Sequence, residues 1–294
     1  MRFGLTILPE HHWSDAAPMW RQADDWGFDH AWTYDHLTWA GLPDEPWFGT
    51  TPTLTAAAMV TERVRLGTFV ASPNYRHPVT FMRDLLALDD VSGGRVIAGL
   101  GTGGDLDSRL LGDPGLSVKE RVDRFEEFVT LLDRVLTQDH VDHDGEYFRA
   151  QDARTLPGCV QQPRIPFVMA ANGPRSLRLA ARFGDGWVTT GPNVDTLEEW
   201  FTAVGALSER LTQALADAGR DGAGFDRYLN LDSSPQFSME SVGAFEDLVG
   251  RAAELGFTDV ISHWPRPEGV YAGRREVLEQ VATEVVPRLR RDLP

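Results

Sequence analysis

Residues 95–112 read RVIAGLGTGGDLDSRLLG. An apolar run suited to a buried strand, Val96–Leu100, passes straight into glycines at 99, 101 and 104 that satisfy the G-x-G-x-x-G pattern of dinucleotide-binding proteins. Two folds use such a stretch. In an open doubly wound sheet the glycines start a helix directly, the pyrophosphate sits on its N-terminus, and an acidic residue follows about 20 positions on. In a closed barrel of alternating strands and helices they mark the C-terminal rim of a strand, the face on which active sites are built. The residues that follow argue against the first. DLDSRLLGDPGLS contains Pro114 and two further glycines, and a periodic helix is expected only from near Ser117. The stretch therefore does not predict an NAD site. At a barrel rim the same glycines let a flat ligand approach the backbone closely, and Thr102 adds a hydroxyl; a tight turn with no ligand uses them equally well.

Three phrases elsewhere repeat one unit: WGFDHAW at 26–32, FGDGWVTT at 183–190 and LGFTDVI at 255–261. Each follows an apolar helical pattern, places a glycine (Gly27, Gly184, Gly256) where a helix would end in a left-handed cap, and continues into a short apolar run. Reading outward gives eight candidate strands: Phe3–Leu8, His30–Tyr34, Arg65–Val70, Val96–Leu100, Phe167–Ala170, Trp187–Thr190, Leu229–Asp232 and Val260–Ser262. Helical periodicity fills the segments between, as in Pro78–Val91 and Val118–Leu136. Such alternation implies parallel pairing with both sheet faces covered. Eight units close most simply into a (β/α)8 TIM barrel of the α/β class with insertions, the longest between strands 4 and 5, forming one domain over residues 1–294. An open doubly wound sheet is the rival.

The long connection, residues 101–166, carries VDHDGEYFRAQDARTLPGCVQQPRIP beyond its helix. Its cluster of Asp139, His140, Asp142, His143 and Asp144 reads as a solvated loop tip rather than a metal site, since no partner motif accompanies it. Cys159 is the only cysteine, which excludes an internal disulfide framework. A net charge of −16, with Lys119 as the only lysine, argues against nucleic-acid partners, which recruit clustered cations. No apolar run approaches the roughly 20 residues of a membrane-spanning helix. The start, MRFGLTILPE, lacks the features of a secretory signal, so a cytoplasmic protein without membrane partners is expected.

Other strand ends carry small, polar or imidazole groups: TYDHL with Asp35 and His36, then LGTFVASPNYRHP, VMAANGPRS and WVTTGPN. Together with GRVIAGLGTGG and AANGPRSLRLAARFGDGW, in this order, they resemble the bacterial luciferase-like superfamily, and within it the branch that uses the deazaflavin coenzyme F420. The resemblance runs from the first strand to about residue 195 and more weakly beyond. It implies a (β/α)8 barrel with the cofactor across its mouth, F420 or alternatively FMN. Phe69 and Val70 fall where related enzymes have a non-prolyl cis peptide behind the tricyclic ring. Thr102, Gly103 and Gly104 would run along the ring and its chain. The turn Ala170, Ala171, Asn172 and Gly173, with Thr190 and Gly191, would hold the phosphate, helped by free N–H groups and the dipole of the following helix.

The resemblance makes His36 the catalytic candidate, because an imidazole can exchange the proton that accompanies hydride transfer. Asp35 would hydrogen-bond the ring or orient the histidine. Trp39 and Trp47, with Phe48, would wall a substrate pocket or form a dimer contact. His11 and His12 could also face the pocket, whereas His77 more simply fixes the turn into the third helix. One departure stands out: sugar-phosphate-oxidising members carry a glutamate directly after Gly-Thr-Gly, where this chain has Gly104. A phosphorylated substrate would also need a cationic clamp, for which Arg109 and Arg175 are the candidates. The reading is an F420-dependent oxidoreductase acting on a small organic substrate, a homodimer as is common in the family. Its alternatives are an FMN-dependent monooxygenase fed by a separate reductase and a non-catalytic flavin-binding barrel.

Overall fold

The computed structural model describes residues 1–293. Eight parallel strands close into a barrel: β1 (Arg2–Thr6), β2 (His30–Thr33), β3 (Arg65–Thr68), β4 (Val96–Leu100), then, after a separate hairpin of β5 (Val141–Asp144) and β6 (Arg149–Ala153), β7 (Phe167–Ala170), β8 (Gly186–Thr189), β9 (Asp226–Asn230) and β10 (Asp259–His263). β1 pairs with β10, Arg2 beside Asp259 through Thr6 beside His263, and this seam completes the ring. The open sheet is thereby excluded. Around it run α1 (Trp13–Asp25), α2 (Thr50–Ala58), α3 (Pro78–Ser92), α4 (Leu106–Leu110), α5 (Val118–Thr137), α6 (Pro174–Phe183), α7 (Leu197–Asp217), α8 (Val242–Glu254), α9 (Arg275–Gln280) and α10 (Val286–Asp292).

Two apolar layers result. The outer core packs helices on strands and buries Trp20, Trp187 and Trp200 completely. The inner core fills the barrel with Trp32, Ile97, Tyr228 and Ile261, capped towards the C-terminal ends by Tyr34, Phe69 and Val188. Large and small residues alternate there, as a closed ring of fixed bore requires. A Cβ on Gly67 would stand 2.2 Å from the Trp32 ring, so the glycine makes room for the indole.

Local chemistry sets the helix ends. Ser117 and Glu120 form a reciprocal capping box at the start of α5. His77 caps α3, its Nδ1 accepting the Val79 N–H at 3.2 Å, which is the turn-fixing role expected for it. Gly27 and Gly256 adopt left-handed φ of 76° and 77°. Gly184 does not: its φ is −76°, and it is crowding that demands glycine there, since a Cβ would lie 2.7 Å from the Ala180 carbonyl oxygen.

The 101–166 connection departs from expectation twice. A five-residue helix, α4, precedes α5. The Asp/His segment is not a loop tip but the hairpin β5–β6, held to α5 by Glu127, which accepts the N–H groups of Tyr147 and Phe148 and faces His143 at 3.1 Å. His140 pairs with Asp152 at 2.6 Å. Cys159 is half-buried and burial pushes its thiol up. No helix among the described residues is long and apolar enough to cross a membrane.

Candidate active site

The loops at the C-terminal ends of the strands enclose a cavity of about 630 Å³. Phe69, Val70, Ala170 and Val188 give it apolar surface, the backbone of Gly101–Gly104 runs along it, and the turn Ala170–Gly173 with Thr190 borders it. Tyr34, His36, Trp39 and Tyr271 form a continuous aromatic wall. Tyr34 meets His36 and Trp39 edge-on at 6.2 and 5.2 Å, and Trp39 stacks on Tyr271 at 6.0 Å. No Asp, Glu, Lys or Arg lines the cavity among the described residues.

His36 is fixed by a residue from another loop. Asp107, on α4 and 1% exposed, faces His36 Nδ1 with Oδ2 at 2.8 Å and accepts the Leu37 N–H on Oδ1 at 2.7 Å. An ionised carboxylate only accepts, so Nδ1 carries the proton and Nε2 is left free. Trp47 Nε1–H donates to the His36 carbonyl at 2.9 Å, holding the backbone from the other side.

The turn entering α6 presents a helix start to the cavity. Gly173 is its N-cap and Pro174 its first residue, and the N–H groups of the first turn lack partners within the helix. Asn172 braces the neighbouring strand end, its Nδ2–H donating to the Gly191 carbonyl at 3.2 Å and its Oδ1 accepting from Thr189 Oγ1 at 2.7 Å. The peptide bond Phe69–Val70 is cis.

Of the residues singled out in the sequence, His36, Trp39, Phe69, Val70, Thr102, Gly103, Gly104, Ala170, Ala171, Asn172, Gly173 and Thr190 meet at this cavity. The other candidates do not line it. Asp35 is completely buried; its carboxylate takes a bidentate pair from Arg76, at 2.5 and 2.6 Å, and the hydroxyl of Tyr75, so it orients neither the histidine nor a ring. Gly191 is buried behind Trp200, whose Nε1 a Cβ there would meet at 2.5 Å. Trp47 acts on the His36 backbone. His11 lines a separate recess of about 220 Å³ between α1 and α2 with Trp20 and Phe48, and His12 is exposed with its ring against Phe48. The two candidate clamp arginines are engaged elsewhere: Arg109 with Asp105 at 2.6 Å, and Arg175 with Asp123 and Glu126 at 2.6 and 2.9 Å.

The family model for luciferase-like monooxygenases matches residues 1–262. The chain belongs to that family. It is 32% identical to an uncharacterised protein of Mycobacterium tuberculosis over 90% of this chain and 83% of the relative. To the F420-dependent glucose-6-phosphate dehydrogenase of Beutenbergia cavernae it is 30% identical, over 91% of each chain. Among solved structures, the coenzyme F420-dependent tetrahydromethanopterin reductase of Methanopyrus kandleri matches with a TM-score of 0.78 at 19% identity, covering 98% of this chain and 99% of that one, a likeness of fold. In this luciferase-like barrel the residues that sequence reasoning passed over are Asp107, Tyr34 and Tyr271. Tyr271 is notable for its backbone, a left-handed φ of 62° that costs a bulky residue about 1–2 kcal/mol. Arg266 holds its loop, donating to Glu10 at 2.8 Å while its own backbone N–H reaches the Tyr271 carbonyl at 2.9 Å.

Proposed function

We propose that the protein is a coenzyme F420-dependent oxidoreductase that moves a hydride between the coenzyme and a small organic substrate. The observation that carries the reading is the His36–Asp107 pair facing an uncharged cavity bordered by an anion-ready helix start. The activity named for the Beutenbergia cavernae relative supports it.

The residues present fit the coenzyme. Phe69, Val70, Val188 and Ala170 offer apolar surface to a tricyclic ring, while the glycine backbone allows close approach. A Cβ on Gly104 would meet nothing within 4 Å, so the position leaves open room beside the ring. The first-turn amides of α6 and the Thr190 hydroxyl would hold the phosphate. When bound, the coenzyme supplies the carbon centre that gives or takes a hydride. The chain's contribution is to orient the partners at about 3–3.5 Å and to take up or give back a proton at His36 Nε2, the nitrogen that the Asp107-set tautomer leaves bare.

Titration of the purified protein with F420 and with FMN, followed by quenching of coenzyme fluorescence, tests this reading. Tight binding of F420 and none of FMN is expected. Saturable FMN binding without F420 binding overturns the assignment in favour of a reductase-fed monooxygenase.

A further inference from the structure

The strand starts, at the end of the barrel opposite the candidate active site, frame a recess of about 450 Å³. Four arginines from four segments converge on it: Arg2 on β1, Arg63 before β3, Arg65 at the start of β3 and Arg290 on α10. In a chain with 44 acidic residues against 28 lysines and arginines, this gathering runs against the overall charge. Asp29 is the one carboxylate among the described residues that lines the recess.

Ion pairs hold three of the four guanidinium groups in place. Arg2 grips Asp259 at 2.6 and 2.7 Å and also reaches Asp226. Arg290 Nη2 donates to the Asp29 carboxylate and to the Gly27 carbonyl, both at 2.6 Å. Arg63 Nη2 donates to the Asp24 carbonyl at 2.9 Å, with the Asp24 carboxylate 3.8 Å away. In all three, Nη1 has no acceptor among the described residues. Arg65 differs: it is half-buried, and its side chain has no hydrogen bond or ion pair among the described residues. A guanidinium partly withdrawn from water and left unpaired gives up hydration without return. Burial and the carboxylates of Asp259 and Asp226 push the Tyr228 hydroxyl up, while Arg2 and Arg65 oppose them, so the Arg65 charge acts at the same spot as that of Arg2.

The carboxylates that hold the arginines offset their charge in sum. What distinguishes the recess is therefore its unspent donors, the whole of the Arg65 fork and one amino group on each of its neighbours. A planar carboxylate satisfies one such fork, whereas a tetrahedral phosphoryl group presents oxygens in several directions and suits donors arriving from four segments. We propose that this recess binds a phosphoryl group, free or carried as a monoester of a small molecule, with Arg65 as its principal partner. The inference is independent of the function proposed above. Arg2 and Arg290 come from the two ends of the chain, so a shared anion would tie α10 to the first strand and stabilise the folded state by mass action.

The test follows arginine Nε–H signals of the full chain in nitrogen-15 spectra, with those of Arg65 and Arg290 assigned through Arg65→Gln and Arg290→Gln. Sodium phosphate and ribose 5-phosphate are titrated separately, against sodium chloride at equal ionic strength. Saturable movement of the Arg65 and Arg290 signals is expected with the phosphoryl compounds and not with chloride. In Arg65→Gln the Arg290 signal should report binding about tenfold weaker or more, and Arg65→Lys, which keeps the charge but loses the fork, should fall between. Phosphate is expected to raise the Tm of the parent and not that of Arg65→Gln, whose fold loses no internal partner. Tighter binding of the ester identifies an organic phosphate as the ligand, and binding no tighter than that of inorganic phosphate identifies the free ion. A parent whose two signals move no further with the phosphoryl compounds than with chloride overturns the proposal, as does an undiminished affinity in Arg65→Gln.

Discussion

His36 was readable from a local dipeptide in the sequence, but the carboxylate that sets its tautomer was not. Asp107 is 71 positions away and becomes a partner only because α4 folds back over the rim, whereas neighbouring Asp35 turns inward to Arg76. The same distance effect hid Tyr271, which meets Tyr34 across 237 positions. Glycines and rim phrases, by contrast, carry their geometry in consecutive residues, so most of the cavity lining was legible. His36→Ala is expected to retain F420 binding and lose about 10²–10⁴-fold in kcat for hydride transfer. Asp107→Asn keeps a side-chain oxygen in place but no longer compels the Nδ1–H tautomer. Its expected loss is smaller, about 10–100-fold in kcat with KM little changed. Stopped-flow reduction of the bound coenzyme measures both, and an unchanged rate in His36→Ala would remove its role.

The barrel strands were legible because each is a short apolar run between turn residues, and the observed bounds differ from the expected ones by no more than a few positions. The hairpin β5–β6 gave no such signal. In β5 only Val141 is buried, and the strand is otherwise Asp and His, so its pairing depends on what it meets rather than on its own pattern. What it meets is Glu127, an acceptor for three successive backbone N–H groups. Burial works to raise this carboxyl, but the N–H of Tyr147, the His143 ring and the N–H of Phe148 outweigh it and hold it below the usual range. A depressed carboxylate stabilises the fold fully above its unfolded value and loses that contribution as pH falls through the lower folded value. Glu127→Gln is therefore expected to destabilise the hairpin by about 1.5–3 kcal/mol at neutral pH, and by less as the parent's own carboxylate is protonated. Hydrogen exchange at Tyr147 and Phe148 checks this, with loss of protection confined to the hairpin and α5.

The two ends of the barrel divide the work, as is general for this architecture. The C-terminal rim carries an uncharged cavity, while the N-terminal end is shut by ions. Asp259 is completely buried there and accepts Arg2 at 2.6 and 2.7 Å, His30 Nε2 at 3.1 Å and Thr258 Oγ1 at 2.6 Å. Trp32 Nε1–H donates to His30 Nδ1 at 2.6 Å, which leaves the His30 proton on Nε2, facing the carboxylate. Burial pushes the Asp259 carboxyl up, yet the His30 and Arg2 hydrogen bonds overcome that and hold it below the usual carboxylate range. Its contribution is present above the unfolded value of about 3.9 and disappears as pH falls through the folded value, so acid unfolding of the parent should steepen below about pH 4. Asp259→Asn weakens the acceptor for buried His30 and for half-exposed Arg2 and is expected to cost about 1.5–3 kcal/mol at pH 7 while flattening that acid limb. F420 affinity should stay within about twofold, because the substitution lies at the opposite end from the cavity. Urea titrations at pH 7 and pH 3.5, paired with F420 titration, measure all three. An acid limb equally steep in the variant would show that Asp259 does not set it, and a lost affinity would show that the two ends are coupled through the barrel core.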